Sequence, residues 1–478
     1  MCPVEGTEVF TDEGLKLIEA LRVGDRLLTH RGRFRAVTRV ASYIVNEVAS
    51  LKAKTLEQLR LAASDRVMAM SVRYQKRVLF VGWHRLSDLL VRPVIDRERG
   101  REAANCPHTA ICLPIIEPEE EVSDVCVSDF YCLKLARRAG YGKMAKWWKV
   151  IRDGERFRLS HAKSKWVIDQ QKLHYPFGRL MGLYLAEGCV SSRGVVWSFH
   201  REEKYLINEV QHLVSERFGL GVHMRTQGNC TTVAAWSSLL KGFFCSVGKG
   251  AHTKRIASWM WSAPLEFHRG LIDGWRDGDA YQCRNIVDGI TVSKSLAWGL
   301  RVLLMRFGLH ASIHCIHRIQ SRRPAFRVVW RLGGKDCCVW DKNFAAYSLQ
   351  KLDVVKQNAR MFAIKVADDE SFVTTGGTVH NCHFPNSEHD DIVDSLTILL
   401  KRLMGEISAE VWLGRGEHAE PERPGIRVRE PVAAGLKSVD EMTDEELEAE
   451  IAARTKPRQS LLASEPARQM DVFDRQVW

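Results

Sequence analysis

Apolar residues recur through the first ninety positions at intervals too short for helices. Leu27, Leu28, Val37 and Val40, then Val78, Leu79, Phe80 and Val81, stand between Gly-Asp and Arg-Gly-Arg turns. That pattern predicts short β segments from residue 2 to about 90. Further on the period lengthens. Between about Pro176 and Phe218, Leu180, Leu183 and Leu185, followed by Ile207, Val210, Leu213, Val214 and Phe218, fall at helical spacing. A second helical stretch is predicted from Leu265 to Trp275, and a third from Ser293 to Phe307. Phe362 to Thr378 returns to a β-like pattern. After a polar turn, Ile392, Val393, Leu396, Ile398, Leu399, Leu400 and Leu403 predict one more helix. Beyond Gly405, Pro, Glu, Arg and Ala dominate, and the composition predicts disorder, with a short helix around Thr443 to Arg454. With β-like ends and an αβ middle, the chain reads as one domain inserted into another.

Composition narrows the setting. A chain of 478 residues exceeds what one core usually supports, which predicts two or three domains. It holds no apolar run of about 18 residues, so no membrane span is expected. Met1-Cys-Pro-Val-Glu-Gly-Thr has neither the basic start nor the apolar stretch of a signal peptide, and a cytoplasmic address follows. The 13 cysteines include no CxxC pair, which suits a reducing compartment. Cys106 and Cys112, and Cys126 and Cys132, with His108 between the first two, are spaced too widely for an ordinary zinc site and read better as core thiols. The net charge of +12 is unevenly spread. From Glu406 onward there are 16 acids and 10 bases, leaving 60 bases and 42 acids before it. A basic body of that size suits a polyanionic partner, most simply nucleic acid, although a solvated surface accounts for charge alone equally well.

Two residue groups carry chemistry. Cys2 opens the chain, and His380-Asn381-Cys382 closes the second β-like run. Two thiols can relay an acyl group, an asparagine amide can attack its own carbonyl to cut the following bond, and a histidine beside it can move protons near neutral pH. CPVEGTEVFTDEGLKLIEALRVGDRLLTHRGRFRAVTRV and MFAIKVADDESFVTTGGTVHNC resemble the N- and C-terminal splicing blocks of inteins. The resemblance implies an all-β, horseshoe-shaped Hint domain. It also implies Cys2 as first nucleophile, Cys382 as second, Asn381 as the cyclising residue and His380 as its penultimate histidine. The sequence departs from the family in its Thr-x-x-His motif, where Ala62 and Asp65 stand instead, and at Ala363 and Glu370, where aspartate and histidine are frequent. Loss of one catalytic group commonly costs about 10²–10⁴ in rate, so slow or partial splicing is expected. Asp65 also reads as a plain solvated strand residue.

The second group lies in the middle. LMGLYLAEG (Leu180–Gly188) and LIDGWRDGDAY (Leu271–Tyr281) are apolar, glycine-bearing helix patterns, each ending in acids. Two carboxylates brought together can hold Mg²⁺ beside a scissile phosphate. A pair of core helices with terminal acids would look similar. The stretches resemble the paired motifs of LAGLIDADG homing endonucleases, which implies two similar αβ halves and Glu187 and Asp279 as catalytic metal ligands, with Asp277 as the alternative in the second motif. The same resemblance places Lys254, in SVGKGAHTKRIASWMW, near the scissile phosphate. It also makes TVSKSLAWGLRVLLMRFGLHASI the second half's supporting helix. Basic stretches such as Arg318-Ile-Gln-Ser-Arg-Arg-Pro would meet DNA phosphates.

Cys382-His-Phe-Pro-Asn-Ser-Glu-His-Asp-Asp-Ile-Val-Asp resembles the end of the nuclease domain of phage terminase large subunits. There Asp391, or next to it Asp390, would bind a metal; a plain helix cap is the other reading. No ATPase part precedes it, so an upstream terminase fragment is an expected partner, and a phage-encoded protein in a bacterial host cell is implied. The expected class is α+β. A Hint domain (2–150 and 350–381) carries an inserted αββαββα-type endonuclease (166–340), followed by a terminase remnant (382–405) and a charged, largely disordered tail (406–478). A monomer is expected, with double-stranded DNA as target, Mg²⁺ for the nuclease and no cofactor for splicing. Two rivals remain. One is an endonuclease whose splicing part is only a scaffold, and the other is a DNA-packaging fragment.

Overall fold

The computed structural model describes residues 3–62, 64–73, 78–90, 94–95, 102–103, 109–130, 150–160, 164–317, 323–333 and 338–381. All of these fall within one compact unit that ends at Asp394. Cys2, Cys106, His108, Cys132, Arg318, Cys382, Asp390, Asp391 and the whole tail lie outside the described residues.

Segments before and after the αβ middle of the chain share one twelve-stranded sheet. Strands from residues 8–11 through 109–114 alternate in it with strands from 339 onward. Its spine is the 20-residue strand Phe34–Ala53 paired antiparallel with the 23-residue strand Phe344–Val366. The sequence predicts only short segments here, because the middle of each strand is exposed and loses the alternation that marks a half-buried strand. Three breaks in register bend the pair. Buried inside are Val9, Phe10, Leu27, Leu51, Leu59, Val67, Ile111, Ile364 and Val379.

Between these strands lie two αβ halves built alike. The first contains α1 (Tyr175–Glu187), α2 (Lys204–Phe218) and α3 (Ser238–Cys245); the second contains α4 (Leu265–Asp279) and α5 (Lys294–Met305). Each half has a four-stranded antiparallel sheet with the same order: 188–190, 195–200, 230–235, 223–227, and then 280–283, 286–291, 325–331, 311–316. Local signals set the helix limits. Pro176 lies in the first turn of α1, and Ser237 and Ser293 accept the N–H of Leu240 and Leu296 as caps. Gly219, at φ +66°, ends α2.

The αβ part is bound to the long-strand sheet through buried polar contacts. Arg301, in the middle of α5 and fully buried, donates to the carbonyl of Thr55 at 2.9 Å and lies over the rings of Trp298 and Tyr347. Lys294 bridges Glu8 and Glu57, and Trp261 donates to the Asp12 carbonyl at 2.9 Å. Among the described residues no helix is long and apolar enough to cross a membrane.

His268, buried in α4, sits between the Met260 carbonyl at Nε2 (2.7 Å) and the Arg306 guanidinium at Nδ1 (2.7 Å). Arg306 must donate to Nδ1, so Nε2 carries the proton. Burial, then the Arg306 charge, pushes its pKa down to about 3. The neutral ring is the folded form, so stability is full above the ordinary value near 6.5 and is lost as pH falls toward 3. Urea unfolding is expected to show a loss of about 2 kcal/mol from this residue between pH 7 and pH 5. A His268→Leu variant, less stable at pH 7, should lack that share of the pH dependence. An equal pH dependence in both proteins would refute the assignment.

Candidate functional site

The two ends of the β-rich part meet on one strand. Pro3 accepts the N–H of Phe362 at 2.9 Å, Val4 forms an isolated bridge with Met361, and Glu5 donates to the Arg360 carbonyl. Four residues along the same strand, Val366 pairs with Asn381. Its N–H donates to Asn381 Oδ1 at 3.1 Å, and its carbonyl accepts from Asn381 Nδ2 at 2.8 Å. Asn381 N also donates to the Glu370 carbonyl at 2.6 Å, and the residue is 3% exposed. The asparagine side chain is therefore held on both sides. His380 ends the strand Gly377–His380, with Nδ1 3.2 Å from the Asn381 carbonyl oxygen. A carbonyl only accepts, so Nδ1 carries the proton in this contact.

Around His380 stand residues that motif reading does not find. The Trp83 ring meets His380 edge-on at 4.8 Å and His30 at 5.4 Å. His30 Nδ1 lies 2.7 Å from Ser371 Oγ. Burial holds the His30 pKa below its ordinary value, Asp369 pulls the other way, and a charge on His380 lowers it further. Asp369 is itself buried. Burial raises its pKa, but hydrogen bonds from Arg33 and Thr29 outweigh that and keep the carboxyl ionised below its usual range. Glu370, at φ +50°, takes part through its backbone. Ala363 packs with Val4, Val48 and Met361. Asp65 is not a solvated strand residue: it is 3% exposed and accepts the Ala62 N–H at 2.9 Å, closing a turn.

The second candidate centre lies where α1 and α4 end. These helices touch backbone to backbone. A Cβ on Gly178 would fall 2.0 Å from the Phe267 carbonyl, on Gly182 2.2 Å from that of Leu271, and on Gly274 2.4 Å from that of Arg179. Small residues every four positions allow this approach. It carries the two helix ends side by side: a Cβ on Gly278 would lie 2.5 Å from Ala186 Cβ and 3.4 Å from Glu187 Cγ. Glu187 is the last residue of α1 and Asp279 the last of α4, each entering a strand at the next residue. Gly289 makes room for Trp275 beneath that strand.

Lys254 completes the group. It is 4% exposed, and its ammonium donates to the Ala186 carbonyl at 2.7 Å. Burial lowers its pKa, against the pull of Asp279 and Glu187, so all three charges share one space. Ser293, the cap of α5, donates to the Lys254 carbonyl at 2.6 Å. Asp277 is engaged elsewhere, with Arg179 at 2.6 Å and Arg276 at 2.9 Å. Among the described residues no cluster of three or more metal-binding side chains occurs. The two carboxylates, with water and phosphate oxygens, are a donor set that suits a hard divalent cation.

No family model matches the chain. Curated relatives match parts of it. The DNA-directed RNA polymerase subunit Rpo1C of Methanocaldococcus jannaschii is 33% identical over 144 residues, covering 29% of this chain and 16% of that protein. An uncharacterized protein of the same organism is 23% identical over 432 residues, covering 80% and 50%. An iron-sulfur cluster assembly SufBD family protein of Mycobacterium tuberculosis is 23% identical over 262 residues, covering 49% and 30%. The chain spans half or less of the length of these relatives. Among solved structures it is similar to the homing endonuclease I-DmoI in complex with DNA and Mn, at 12% identity and a TM-score of 0.27, over 34% of this chain and 91% of that one.

The two centres are joined through α5. Its first residue, Lys294, is 2.7 Å from Glu57. Glu57 in turn holds the turn before His380: its N–H donates to the Thr375 carbonyl at 3.0 Å, and its carboxylate accepts from Thr375 Oγ1 at 2.9 Å.

Proposed function

We propose that the chain is a self-splicing Hint element carrying its own DNA-cutting domain. The observation that carries this reading is the meeting of residues 3–4 and residue 381 on one strand, within roughly 13 Å at an ordinary strand rise. An element that excises itself needs its two ends together. The relatives add support. Parts of the chain resemble parts of an RNA polymerase subunit and of a protein named for iron-sulfur assembly, as expected of a module independent of its host's task.

In this reading Cys2 Sγ attacks the Met1 carbonyl, exchanging the amide for a thioester, and Cys382 Sγ then takes over the acyl group. Asn381 Nδ2 attacks its own carbonyl carbon, the bond to Cys382 nitrogen breaks, and the freed amine displaces the thioester to restore an amide. His380 Nδ1–H faces the oxygen that gains charge in that cyclisation. Trp83 and Ser371 would fix the imidazoles of His380 and His30. With Asp65 accepting a backbone N–H where a donor is usual, the first acyl shift is the slow step. The same observation favours the second reading, in which the splicing part is only a scaffold for the nuclease. Residues 382–405 would be the terminase-like flank, with Asp391 a ligand of that protein's own metal.

For DNA cleavage, Glu187 and Asp279 would hold Mg²⁺, which when bound polarises the phosphate and acidifies water. Lys254, partly relieved of its proton's stability by burial, would balance phosphate charge or move a proton.

Splicing is tested with a reporter protein fused before Cys2, the products being followed by intact mass spectrometry. The expected result is a ligated reporter–flank product from the parent, lost in both Cys2→Ala and Asn381→Ala variants. Uncut precursor, or cleavage after Asn381 alone, would overturn splicing and leave the scaffold reading.

A further inference from the structure

Between the two parts described above stands a small sheet that neither centre uses: Val150–Asp153, Arg156–Leu159 and Val167–Ile168, all antiparallel. Phe157, Leu159 and Val167 are buried and fix its inner face. The register puts Ile151 opposite Arg158, and Arg156 between Asp153 and Ile168, so these five share the outer face. Arg158 lies over the Trp166 ring at 4.9 Å. Arg156 and Lys165 are exposed.

The two arginines on this face meet one acid, Asp153, and form no ion pair with it. Elsewhere arginines meet carboxylates: Arg33 with Asp369, Arg179 with Glu209 and Asp277, Arg327 with Asp288. No ion pair holds Arg156, Arg158 or Lys165 among the described residues, and Arg158 Nε is shielded there without a hydrogen-bond partner. The acids nearby are few. Asp169 is taken by Arg152 and Ser128, Glu155 lies at the exposed turn, and Asp153 is the one acid opposite Arg156. The sequence that leads into the sheet, 131–149, has six bases and no acid.

Position gives the patch a direction. Ile168 lies against Gly219, with a Cβ there 3.5 Å from its side chain. Four residues past Gly219 begins the edge strand His223–Gln227, whose five residues are all exposed and include His223 and Arg225. The outer face of the small sheet thus ends against the segment that leads into the open edge of the first αβ half. An arginine stacked on an aromatic ring and free cations beside it make a surface that takes a phosphate backbone.

We propose that the 150–168 sheet is a second duplex-DNA contact, which grips the phosphate backbone and lengthens the footprint on the side of the first half only. This rests on the DNA-cutting reading of the αβ part. The test uses the full chain and a 60-base-pair duplex of arbitrary sequence, with affinity read by anisotropy across a salt series. An Arg156→Ala/Arg158→Gln/Lys165→Ala variant is expected to bind about tenfold or more weakly. Its salt slope should fall by about 2.7, three phosphate contacts at about 0.9 each. A variant that melts like the parent and keeps its affinity and slope overturns the proposal. Should it melt lower, Arg156→Glu/Lys165→Glu, which spares the stacked arginine, must show the same loss, and unchanged binding overturns the proposal equally. A parent that fails to bind duplex DNA at all would instead sink the DNA-cutting reading itself.

Discussion

Glu187→Gln is expected to reduce double-strand cleavage by about 10²–10⁴, with duplex binding retained. Glutamine fills the same space beside Gly278, so the close approach of the two helix ends survives. What it removes is one of the two negative charges available to a cation, and one of the two carboxylates that hold the Lys254 proton against burial. Both losses act in the same direction on a transition state that accumulates phosphate charge. Asp279→Asn should do the same. Asp277→Asn should behave differently. Its carboxylate is spent on Arg179 and Arg276, so the change is expected to lower stability by roughly 1–3 kcal/mol while cleavage stays within about tenfold of the parent. The substrate is a plasmid bearing the joined flank-coding sequence, assayed with Mg²⁺. Full activity in Glu187→Gln would remove that residue from the centre, and inactivity confined to Asp277→Asn would move the second acid by two positions.

The largest expected effect on folding is at the α1–α4 contact. Gly182→Val would place a branched side chain where even a Cβ lies 2.2 Å from the Leu271 carbonyl and 2.8 Å from the Trp275 nitrogen. Neither neighbour is a flexible side chain that could turn away. The helices must separate, and with them the fully buried Phe267, Leu271 and Trp275. A loss of about 4 kcal/mol or more is expected, at the upper end for single substitutions. Gly221→Ala, where no atom lies within 4 Å of the added Cβ, should change little. Gly219→Ala, strained only by its φ of +66°, should cost about 1 kcal/mol. Urea unfolding of the three variants checks that order, and a Gly182→Val protein as stable as Gly221→Ala would refute backbone contact between the helices.

The helices are legible in the sequence because each has one strongly buried face. Leu180, Leu183 and Leu185, and Leu296, Leu300, Leu303 and Leu304, are all buried at the spacing that predicts them. The stretch from Pro176 to Phe218 is two helices rather than one pattern, parted by a hairpin whose second strand, Val195–His200, alternates plainly between buried and half-buried positions. The helix endings are legible too, as acids after glycine-spaced runs. By contrast, nothing local points to His30, Trp83 or Ser371 beside His380. His30 and Trp83 arrive from hundreds of residues away in the chain, while Ser371 stands opposite His380 in the closing hairpin, and only the sheet order brings the four together. Arg301 is missed for another reason. An arginine in a helix usually faces water, and its place here depends on Thr55 in the left-handed region and on two aromatic rings.

That buried arginine bears on how such a chain can change over generations. A deletion that trimmed away the αβ part would strip the cover from Tyr347 and leave the turn at Thr55 without its donor. It would also leave Glu8 and Glu57 as neighbouring like charges with no lysine between them, Glu8 being already harder to ionise because it is half-buried. Shortening the gene is therefore costly to the remaining sheet, whereas exchanging a single acid at a helix end leaves that sheet untouched. Inactivation would run through point substitutions, and descendants that no longer cut would still inherit the full length of the insert.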